Sequence, residues 1–415
     1  MEQREEVFDR VYRGYGPALY RFCLMQMKNT ADAEDVMQEV FVKRLYQAPP
    51  FQTPEHERRW LFRVALNQCR DEWKRSRRTE LPLEAAALVA VLTVSVGAVV
   101  LVEWDAIFTA RFGPEASASP VAESLFQKVG AASSCGDVTL TVREAVGDSK
   151  SVYLILDYRL PDSVDRAAVQ AAWDSEADRG GCPDVQFYAT GEVTWEDLQA
   201  RDGERWPEID WTNYAAYSRY SANNALTAYR FTGGSGSSVS AQSYDPDTGV
   251  LTYLVRFTTQ SQTQNLTDRP LTLLVLPPTV TAAGGEQALA DHPAIVTFQP
   301  GYTARARQGQ TRDPDARFSA EVILSPLSIT VSCDSTDLAD CGALRQAVCL
   351  LWEDGGETPL ADMTRGYSGS ESSYRVDGQV HYRTSMSAQF LELQDISRVA
   401  AVRVGDCEVL LQPEA

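Results

Sequence analysis

The sequence predicts a multi-domain protein, α then β: a three-helix N-terminal domain, one transmembrane helix, and a C-terminal all-β, sandwich-like ectodomain. Apolar residues recur at helical spacing before residue 80, an uncharged apolar run follows, and apolar and polar residues alternate thereafter. A length of 415 residues allows two or three domains. The predicted parts are residues 1–80, 85–104, 105–283 and 290–415.

Charge is divided unevenly along the chain. Residues 1–84 carry 15 basic and 14 acidic side chains, whereas the remaining residues carry 23 and 43. The acidic body is a poor match for polyanions such as nucleic acids. An asymmetry of this kind indicates that the two parts work in different environments.

Three helices are predicted in residues 1–80, because apolar side chains follow a spacing of three and four residues. The second helix begins after Asn29 or Thr30, either of which can cap it, and the third runs from about Glu55 to Arg78. Three prolines place a loop around Phe51 between these two helices. The mostly apolar stripes are Val7, Val11, Tyr12, Tyr15, Leu19, Tyr20, Cys23 and Met27 in the first helix, Ala33, Val36, Met37, Val40, Phe41 and Leu45 in the second, and Trp60, Leu61, Val64, Ala65, Gln68 and Trp73 in the third.

Polar residues line another side of the second and third helices. Along the third helix, cations and one amide recur at Arg63, Asn67, Arg70, Lys74 and Arg77. Such a stripe can follow a phosphate backbone while touching base edges. Two simpler interpretations stay open: the acidic face of the second helix is only solvated, and the cations of residues 75–78 are the basic flank of a membrane span.

A transmembrane helix is predicted from the run Ala85–Val102, which has eighteen residues and no charge. At 1.5 Å per residue it spans roughly 27 Å, close to the ~30 Å hydrocarbon core of a bilayer. Trp104 is the expected interfacial anchor. A buried helix of a globular domain is the alternative, and a signal peptide fits less well because the run starts far from the N-terminus.

The charges around this run predict its orientation. Five cations precede it and two carboxylates follow it: Arg70, Lys74, Arg75, Arg77 and Arg78, then Glu103 and Asp105. The positive-inside rule places the N-terminus in the cytoplasm and the C-terminal domain outside, in a single-pass protein of the cytoplasmic membrane. Six of the eight cysteines then lie outside, where disulfides persist, and fifteen pairings stay open.

The rest of the sequence alternates in the manner of short strands separated by turns, which predicts β-sandwiches. Asp137–Val146 and Ser151–Leu160 form the expected hairpin around the turn 147–150. Thr232–Ser238 is rich in glycine and serine and is predicted to be a flexible loop. Further strands are expected at Val185–Ala189, Val250–Thr259, Leu271–Leu276, Ala294–Phe298, Val322–Ser332, Val348–Trp352, Ser373–Arg383 and Val399–Leu411.

The sequence contains no recognisable catalytic or metal-binding constellation, so the chain is predicted not to be an enzyme and to need no cofactor or metal. Its three histidines, His56, His292 and His381, lack a metal-ligand spacing. Gly366–Gly369 lacks the spacing of a nucleophile elbow. Asp245–Gly249 suggests a calcium loop, but a turn before the next strand is the preferred interpretation.

Two blocks near the N-terminus resemble region 2 of the sigma-70 family of bacterial RNA polymerase sigma factors, in its extracytoplasmic-function group. They are Asp32–Phe41 (DAEDVMQEVF) and Arg59–Asp71 (RWLFRVALNQCRD), in the order and at the spacing of that family. The resemblance covers about a fifth of the chain. The second DNA-binding domain of such factors has no counterpart after Glu84.

The resemblance implies partners and residue roles. The implied partners are core RNA polymerase and promoter −10 DNA. The resemblance implies that Asp35, Gln38 and Glu39 contact the clamp of the polymerase β′ subunit. Capture of the melted −10 strand falls to one aromatic residue and five polar or basic ones: Phe51, Arg63, Asn67, Arg70, Lys74 and Arg75.

The C-terminal region is similar to the uncharacterised ectodomain of membrane-bound anti-sigma factors of Firmicutes. The similar segments are Val138–Leu160, Ser325–Val331 and Val399–Leu411. The cytosolic sigma-binding segment that those proteins usually have is absent from this sequence. The chain therefore resembles the front half of a sigma factor joined to the span and ectodomain of an anti-sigma factor, through either a natural fusion or a deletion across two genes.

Together these patterns predict a membrane-tethered transcription regulator. Its sigma-like module lies inside the cell, and a sensory or interaction domain outside recognises an unidentified ligand or protein. Since the tether holds the DNA-binding helix at the lipid headgroups, activity is expected to need release by a protease. The alternative is a cell-surface binding or structural protein whose sigma-like head is a non-functional remnant.

Overall fold

The computed structural model describes sixteen single positions between 11 and 65, and residues 104–175, 181–190, 193–282, 285–312, 318–337, 348–405 and 407–414. The chain divides into two compact units, Met1–Ala98 and Val99–Ala415. Each unit has a hydrophobic core of its own.

The N-terminal unit is helical at fifteen of its sixteen described positions. Its core follows helical spacing, because side chains four residues apart lie on one face of a helix. The core positions agree with the three predicted apolar stripes. They are Val11, Leu19, Cys23, Val36, Val40, Phe41, Leu61 and Ala65, with Tyr15, Met37 and Val64 packed against them.

The described part of the C-terminal unit is mostly β-structure, and its strand pairings are antiparallel. The strands are β1 (Phe126–Cys135), β2 (Val138–Gly147), β3 (Ser151–Arg159), β4 (Val185–Ala189), β5 (Ser235–Asp245), β6 (Val250–Thr259), β7 (Leu271–Val275), β8 (Thr279–Ala282), β9 (Gly285–Ala288), β10 (Ala294–Phe298), β11 (Arg307–Arg312), β12 (Phe318–Leu324), β13 (Ser328–Ser335), β14 (Val348–Trp352), β15 (Glu357–Pro359), β16 (Thr364–Val376), β17 (Gln379–Phe390), β18 (Val399–Val404), β19 (Cys407–Leu410) and β20 (Gln412–Pro413).

Two sandwiches share these strands. In the first, a sheet ordered β1-β2-β3-β6-β5 packs on a sheet ordered β10-β7-β4, and one apolar core lies between them. In the second, a sheet ordered β16-β17-β13-β12-β11-β20 packs on a sheet ordered β15-β14-β18-β19. β10 pairs with β7, so the first sandwich extends to Phe298, past the predicted boundary at 283–290.

The larger sheet of the first sandwich is buried on both faces. On β3, Leu154 and Leu156 face the sandwich core, whereas Tyr153 and Ile155 belong to a second apolar cluster. That cluster also receives Leu327 from the second sandwich. Burial on both faces explains why β3 is an almost unbroken apolar run rather than a strict alternation.

One arginine ties the two sandwiches together. Arg111 donates 2.8 Å to the Tyr153 hydroxyl on β3 and 2.9 Å to the Phe390 carbonyl on β17. Its guanidinium also lies over the Phe112 ring, 4.6 Å from the ring centroid. The contact between the sandwiches is therefore held by directed hydrogen bonds as well as by apolar packing.

The prediction of a membrane-spanning helix at 85–104 is corrected. Residues 85–103 lie outside the described residues, and no helix in the described part of the chain is both long and apolar enough to cross a bilayer. Trp104, expected as an interfacial anchor, instead packs against Phe108, Phe112 and Phe126, with ring centroids 5.8–6.1 Å apart. The single-pass placement in the cytoplasmic membrane, with an outward-facing ectodomain and a releasing protease, is corrected with it.

The prediction of an all-β C-terminal region is also too simple, because helices connect several strands. Asp165 and Asn213 each cap a helix by accepting from two backbone N–H groups, and Thr194 caps a third helix in a capping box with Asp197. The α-helices are Ala106–Phe112, Ala122–Leu125, Arg166–Asp174, Trp195–Asp202, Tyr214–Asn223 and Leu360–Met363, and 3₁₀ turns lie at Ala116–Ala118, Gly203–Glu208, Thr227–Tyr229 and Ile396–Arg398.

Three predicted single strands are hairpins in the structure. Val322–Ser332 breaks at Ser325–Leu327, where Pro326 cannot continue the ladder. Ser373–Arg383 turns at Asp377–Gly378, both with positive φ, and Val399–Leu411 turns after Val404. The predicted flexible loop 232–238 is also corrected, because its second half begins β5, which pairs along β6 as an exposed edge strand.

Candidate functional site

The described part of the N-terminal unit contains a buried ion pair beside an aromatic side chain. Arg44 Nε donates to Glu57 Oε1 at 2.7 Å, and Arg44 Nη2 contacts the same oxygen. The side chains are 16% and 4% exposed. Both residues are helical, so the pair joins the two helices that are predicted on either side of the proline-containing loop.

Phe51 lies in that loop and contacts the same arginine. The Arg44 guanidinium carbon is 4.8 Å from the Phe51 ring centroid, within the range of a cation–π contact. Phe51 is in neither helix nor strand, and its side chain is half-buried. The aromatic residue predicted to meet DNA is therefore placed next to a cation and is partly open to solvent.

Phe51 is the one predicted site residue within the described part of the chain. The polymerase-docking residues Asp35, Gln38 and Glu39 lie outside the described residues. The same holds for the other predicted DNA-binding residues, Arg63, Asn67, Arg70, Lys74 and Arg75. Their roles stay predictions.

Arg44 and Glu57 were not among the predicted site residues, although the sequence carried a signal for them. Arg44 continues the spacing of Val36 and Val40, and Glu57 precedes Leu61 by four residues. Opposite charges at the ends of two apolar stripes indicate a pair at the edge of a shared core. That signal depends on knowing that the two helices pack together.

In the C-terminal unit, the predicted hairpin turn 147–150 is present but fully buried. Asp148 Oδ1 accepts from the backbone N–H groups of Lys150 and Ser151, both at 2.7 Å. Asp148 Oδ2 accepts from Leu327 N at 3.0 Å, across the junction with the second sandwich. A Cβ on Gly147 would lie 2.6 Å from the Tyr302 ring, so the turn needs glycine there.

Lys150 occupies the centre of this junction. Its ammonium donates 2.7 Å to both the Ser261 carbonyl and Asn265 Oδ1, and it lies 2.6 Å from Glu414 Oε1. The Lys150 and Glu414 side chains are 2% and 3% exposed. Acceptors of the protein itself therefore bind the Lys150 ammonium, and the buried turn 147–150 links the two sandwiches as a structural element.

Burial changes the proton affinity of Asp148. Desolvation raises the pKa of its carboxyl to about 6, and the hydrogen bonds from Lys150, Ser325, Ser151 and Leu327 oppose the rise without cancelling it. The two carboxyl oxygens accept those bonds, so burial disfavours the charged form of Asp148 while the surrounding donors favour it.

The two described histidines are held in packed clusters. His292 Nε2 is 3.1 Å from Asp137, its Nδ1 is 3.0 Å from the Pro293 carbonyl, and its ring lies against Trp195 and Trp206. His381 Nδ1 is 2.9 Å from Asp334 Oδ1. No group of three or more potential metal ligands exists among the described residues.

The segment Asp245–Gly249 is a turn between β5 and β6 in the structure, in agreement with the preferred interpretation of its sequence. The Asp245 carboxylate accepts from the backbone N–H of Asp247 at 3.0 Å and from the Thr248 hydroxyl at 2.8 Å. Its oxygens are therefore used within the turn. Cys135, Cys182 and Cys349 are free thiols.

Comparison with known proteins bears on the N-terminal unit. Residues 11–79 match the family model of sigma-70 region 2. The ECF RNA polymerase sigma factor SigX of Bacillus subtilis is 32% identical over 75 residues, which cover 18% of this chain and 38% of that protein. This chain thus spans well under half the length of that relative.

One solved structure matches over a large part of this chain. The conserved domain protein from Bacillus anthracis covers 69% of this chain and 89% of its own, at 8% sequence identity and a TM-score of 0.30. The sigma-factor half of the resemblance is therefore confirmed: residues 11–79 are similar to sigma-70 region 2. The anti-sigma half stays a prediction.

Proposed function

We propose that the chain is a sigma-factor-like transcription regulator whose N-terminal unit binds core RNA polymerase and promoter −10 DNA. The observation that carries the proposal is the match of residues 11–79 to sigma-70 region 2. A relative with 32% identity over 75 residues is named as an RNA polymerase sigma factor, which supports it. The proposal assigns the chain no catalytic role.

In this proposal the second helix contacts the polymerase. Asp35, Gln38 and Glu39 are the docking residues that the family resemblance implies. Val36, Val40 and Phe41 belong to the core of the unit. A helix whose apolar side is already buried can use only its remaining residues for a partner, which is compatible with a polar docking surface.

The loop and the third helix contact DNA in this proposal. Phe51 is half-buried, so part of its ring is accessible to an unpaired base. Arg63, Asn67, Arg70, Lys74 and Arg75 provide phosphate and base contacts from the third helix. An aromatic side chain followed by a row of cations is the combination with which proteins hold single strands.

Binding to Bacillus subtilis core RNA polymerase tests the docking step. The full chain is titrated onto immobilised enzyme, together with the double variant Gln38→Ala/Glu39→Lys and the control Glu115→Lys. Glu115 is an exposed acidic residue of the C-terminal unit. The double variant is expected to bind about tenfold or more weakly, and the control within about twofold of the original chain.

No binding of the original chain would overturn the proposal and favour a protein whose sigma-like head is a remnant. Equal loss in the double variant and in Glu115→Lys would indicate unspecific charge attraction instead. A second arm measures the salt dependence of single-stranded DNA binding by the polymerase complex. Replacing one phosphate-contacting cation, such as Arg70→Ala, is expected to lower the salt slope by about 0.7.

A further inference from the structure

Two charged residues of the N-terminal unit occupy positions that helical spacing assigns to the core. Arg44 lies four residues after Val40, and Glu57 lies four residues before Leu61. Both Val40 and Leu61 are fully buried. Residues four apart share a helix face, which explains why the charged side chains are also shielded from water.

The ion pair between them sets the orientation of the Arg44 guanidinium. Nε and Nη2 both point at Glu57 Oε1, so two N–H groups on one edge of the plane are directed to one acceptor. Opening the pair would separate a guanidinium from a carboxylate that is only 4% exposed, which is costly for a charge so far from water. The guanidinium is therefore held in place from the third helix.

The oriented guanidinium faces Phe51. The distance from its central carbon to the ring centroid is 4.8 Å, and Phe51 itself is in neither helix nor strand. A cation over an aromatic face attracts the ring. The Arg44 side chain, which Glu57 anchors, is therefore one contact that orients the Phe51 ring.

We infer that Arg44 is a positioning residue, held by Glu57, that orients the Phe51 ring for stacking against an unpaired DNA base. This rests on the proposed function, in which Phe51 meets the −10 strand. A ring that is oriented before binding loses less conformational freedom when the base arrives, so the same stack gives tighter binding. Arg44 acts through Phe51 and not through a phosphate.

A direct contact between Arg44 and a phosphate is the competing explanation, and the two differ in measurable ways. A phosphate contact contributes to the salt slope of binding, by about 0.7 for a single strand, and it persists when Phe51 is replaced. Positioning leaves the salt slope unchanged and has no effect once the aromatic ring is gone.

The test uses the full chain bound to core RNA polymerase and a short single-stranded DNA that the original chain selects from a random pool. One adenine in turn is replaced by 2-aminopurine, whose fluorescence falls on stacking. The variants are Arg44→Met, Phe51→Leu, their combination and Glu57→Gln. Lys43→Met is the matched control, because it removes the same charge from the adjacent helical position.

Arg44→Met is expected to weaken DNA binding about fivefold and to reduce the quenching of one 2-aminopurine. Glu57→Gln is expected to act in the same direction, and Lys43→Met to leave the quenching unchanged. In the Phe51→Leu background, Arg44→Met is expected to have no further effect. A loss that persists in that background with a lower salt slope would overturn the inference, as would original-strength binding by Arg44→Met.

Arg44→Lys guards against a variant that does not fold, which circular dichroism would reveal. Lysine keeps the charge but not the planar guanidinium, so reduced quenching with unchanged polymerase binding is expected. Original quenching in Arg44→Lys would overturn the inference. If the original chain binds polymerase but no DNA, both the inference and the DNA half of the proposed function are overturned. If the original chain binds polymerase and DNA but no variant changes DNA binding, the inference alone is overturned.

Discussion

The Arg44–Glu57 pair of the N-terminal unit and the Lys150–Glu414 pair of the C-terminal unit are both buried, and they differ in what else the cation contacts. Lys150 also donates to the Ser261 carbonyl and to Asn265, so acceptors of the protein surround it. Arg44 turns its face to the half-buried ring of Phe51. A buried charge that is enclosed on every side supports a fold, whereas one that reaches a partly open side chain can serve a site.

The largest effect of a single substitution on stability is expected at the Lys150 junction. Lys150→Met leaves the Glu414 carboxylate buried without a countercharge and removes the donor to Asn265. The expected loss in the free energy of unfolding of the C-terminal unit is about 3–5 kcal/mol. Urea unfolding followed by tryptophan fluorescence measures it.

A matched surface pair serves as the control for that prediction. Arg305 lies 2.8 Å from Asp268 with both side chains nearly half exposed. Arg305→Met is expected to cost about 1 kcal/mol or less, because water screens an exposed pair. Equal losses in the two variants would show that burial is not what makes the Lys150 junction strong.

The pH dependence of stability sharpens the same contrast. Burial raises the pKa of Asp148 to about 6 from an ordinary value of 3.8, so the folded state favours the protonated carboxyl. The stability that this shift contributes is fully present below pH 3.8 and is lost as the pH rises through 6. The expected loss is about 3 kcal/mol.

Asp148→Asn isolates that contribution. The amide does not titrate, so the unfolding free energy of the original chain relative to the variant should fall by about 2 kcal/mol between pH 4 and pH 7. Urea unfolding of both proteins at a series of pH values gives this difference. A difference that stays constant with pH would contradict the assigned shift.

The smallest effect is expected where both charges of the N-terminal pair are replaced. Arg44→Met/Glu57→Leu leaves no buried charge alone, so the stability of the N-terminal unit should stay within about 1 kcal/mol of the original or rise. Binding of DNA should still fall, since the Phe51 ring loses the Arg44 guanidinium that lies over it. Hydrogen exchange in residues 36–65 measures the stability, and a large loss would assign the pair a structural role like that of Lys150.

Much of the fold was predictable from the sequence where the signal is local. The hairpin of β2 and β3 and the strands β4, β6, β7, β10 and β14 lie within one residue of their predicted bounds. Their side chains pack on sheet faces, and the sequence records that packing as apolar periodicity. The edge strand β5 was missed because the backbone of β6, not burial of its own side chains, holds it in the sheet.

The rest depended on contacts between distant residues. The turn 147–150 looks like any polar surface turn until Leu327 of the second sandwich meets Asp148. In the same way, the sequence predicts that Phe51 is an aromatic residue in a loop. Its contact with Arg44 was not predicted, because Arg44 and Glu57 meet only when two helices pack together. Periodicity assigns a residue to a face of its own helix or strand but does not identify its partner on another element, so neither contact was predicted.

The buried turn also imposes an order on synthesis. The hydrogen bond of Asp148 cannot form until Leu327, 179 residues later in the chain, has been synthesised. In the same way, the ion pair of Lys150 cannot form before Glu414 is present. When the first sandwich leaves the ribosome, the Lys150 ammonium therefore has no carboxylate beside it. It lies at a face that is still exposed to solvent, because the second sandwich has not yet covered that face. Contacts so distant in sequence form late, and the C-terminal unit gains its full resistance to proteases only after β20 has been added.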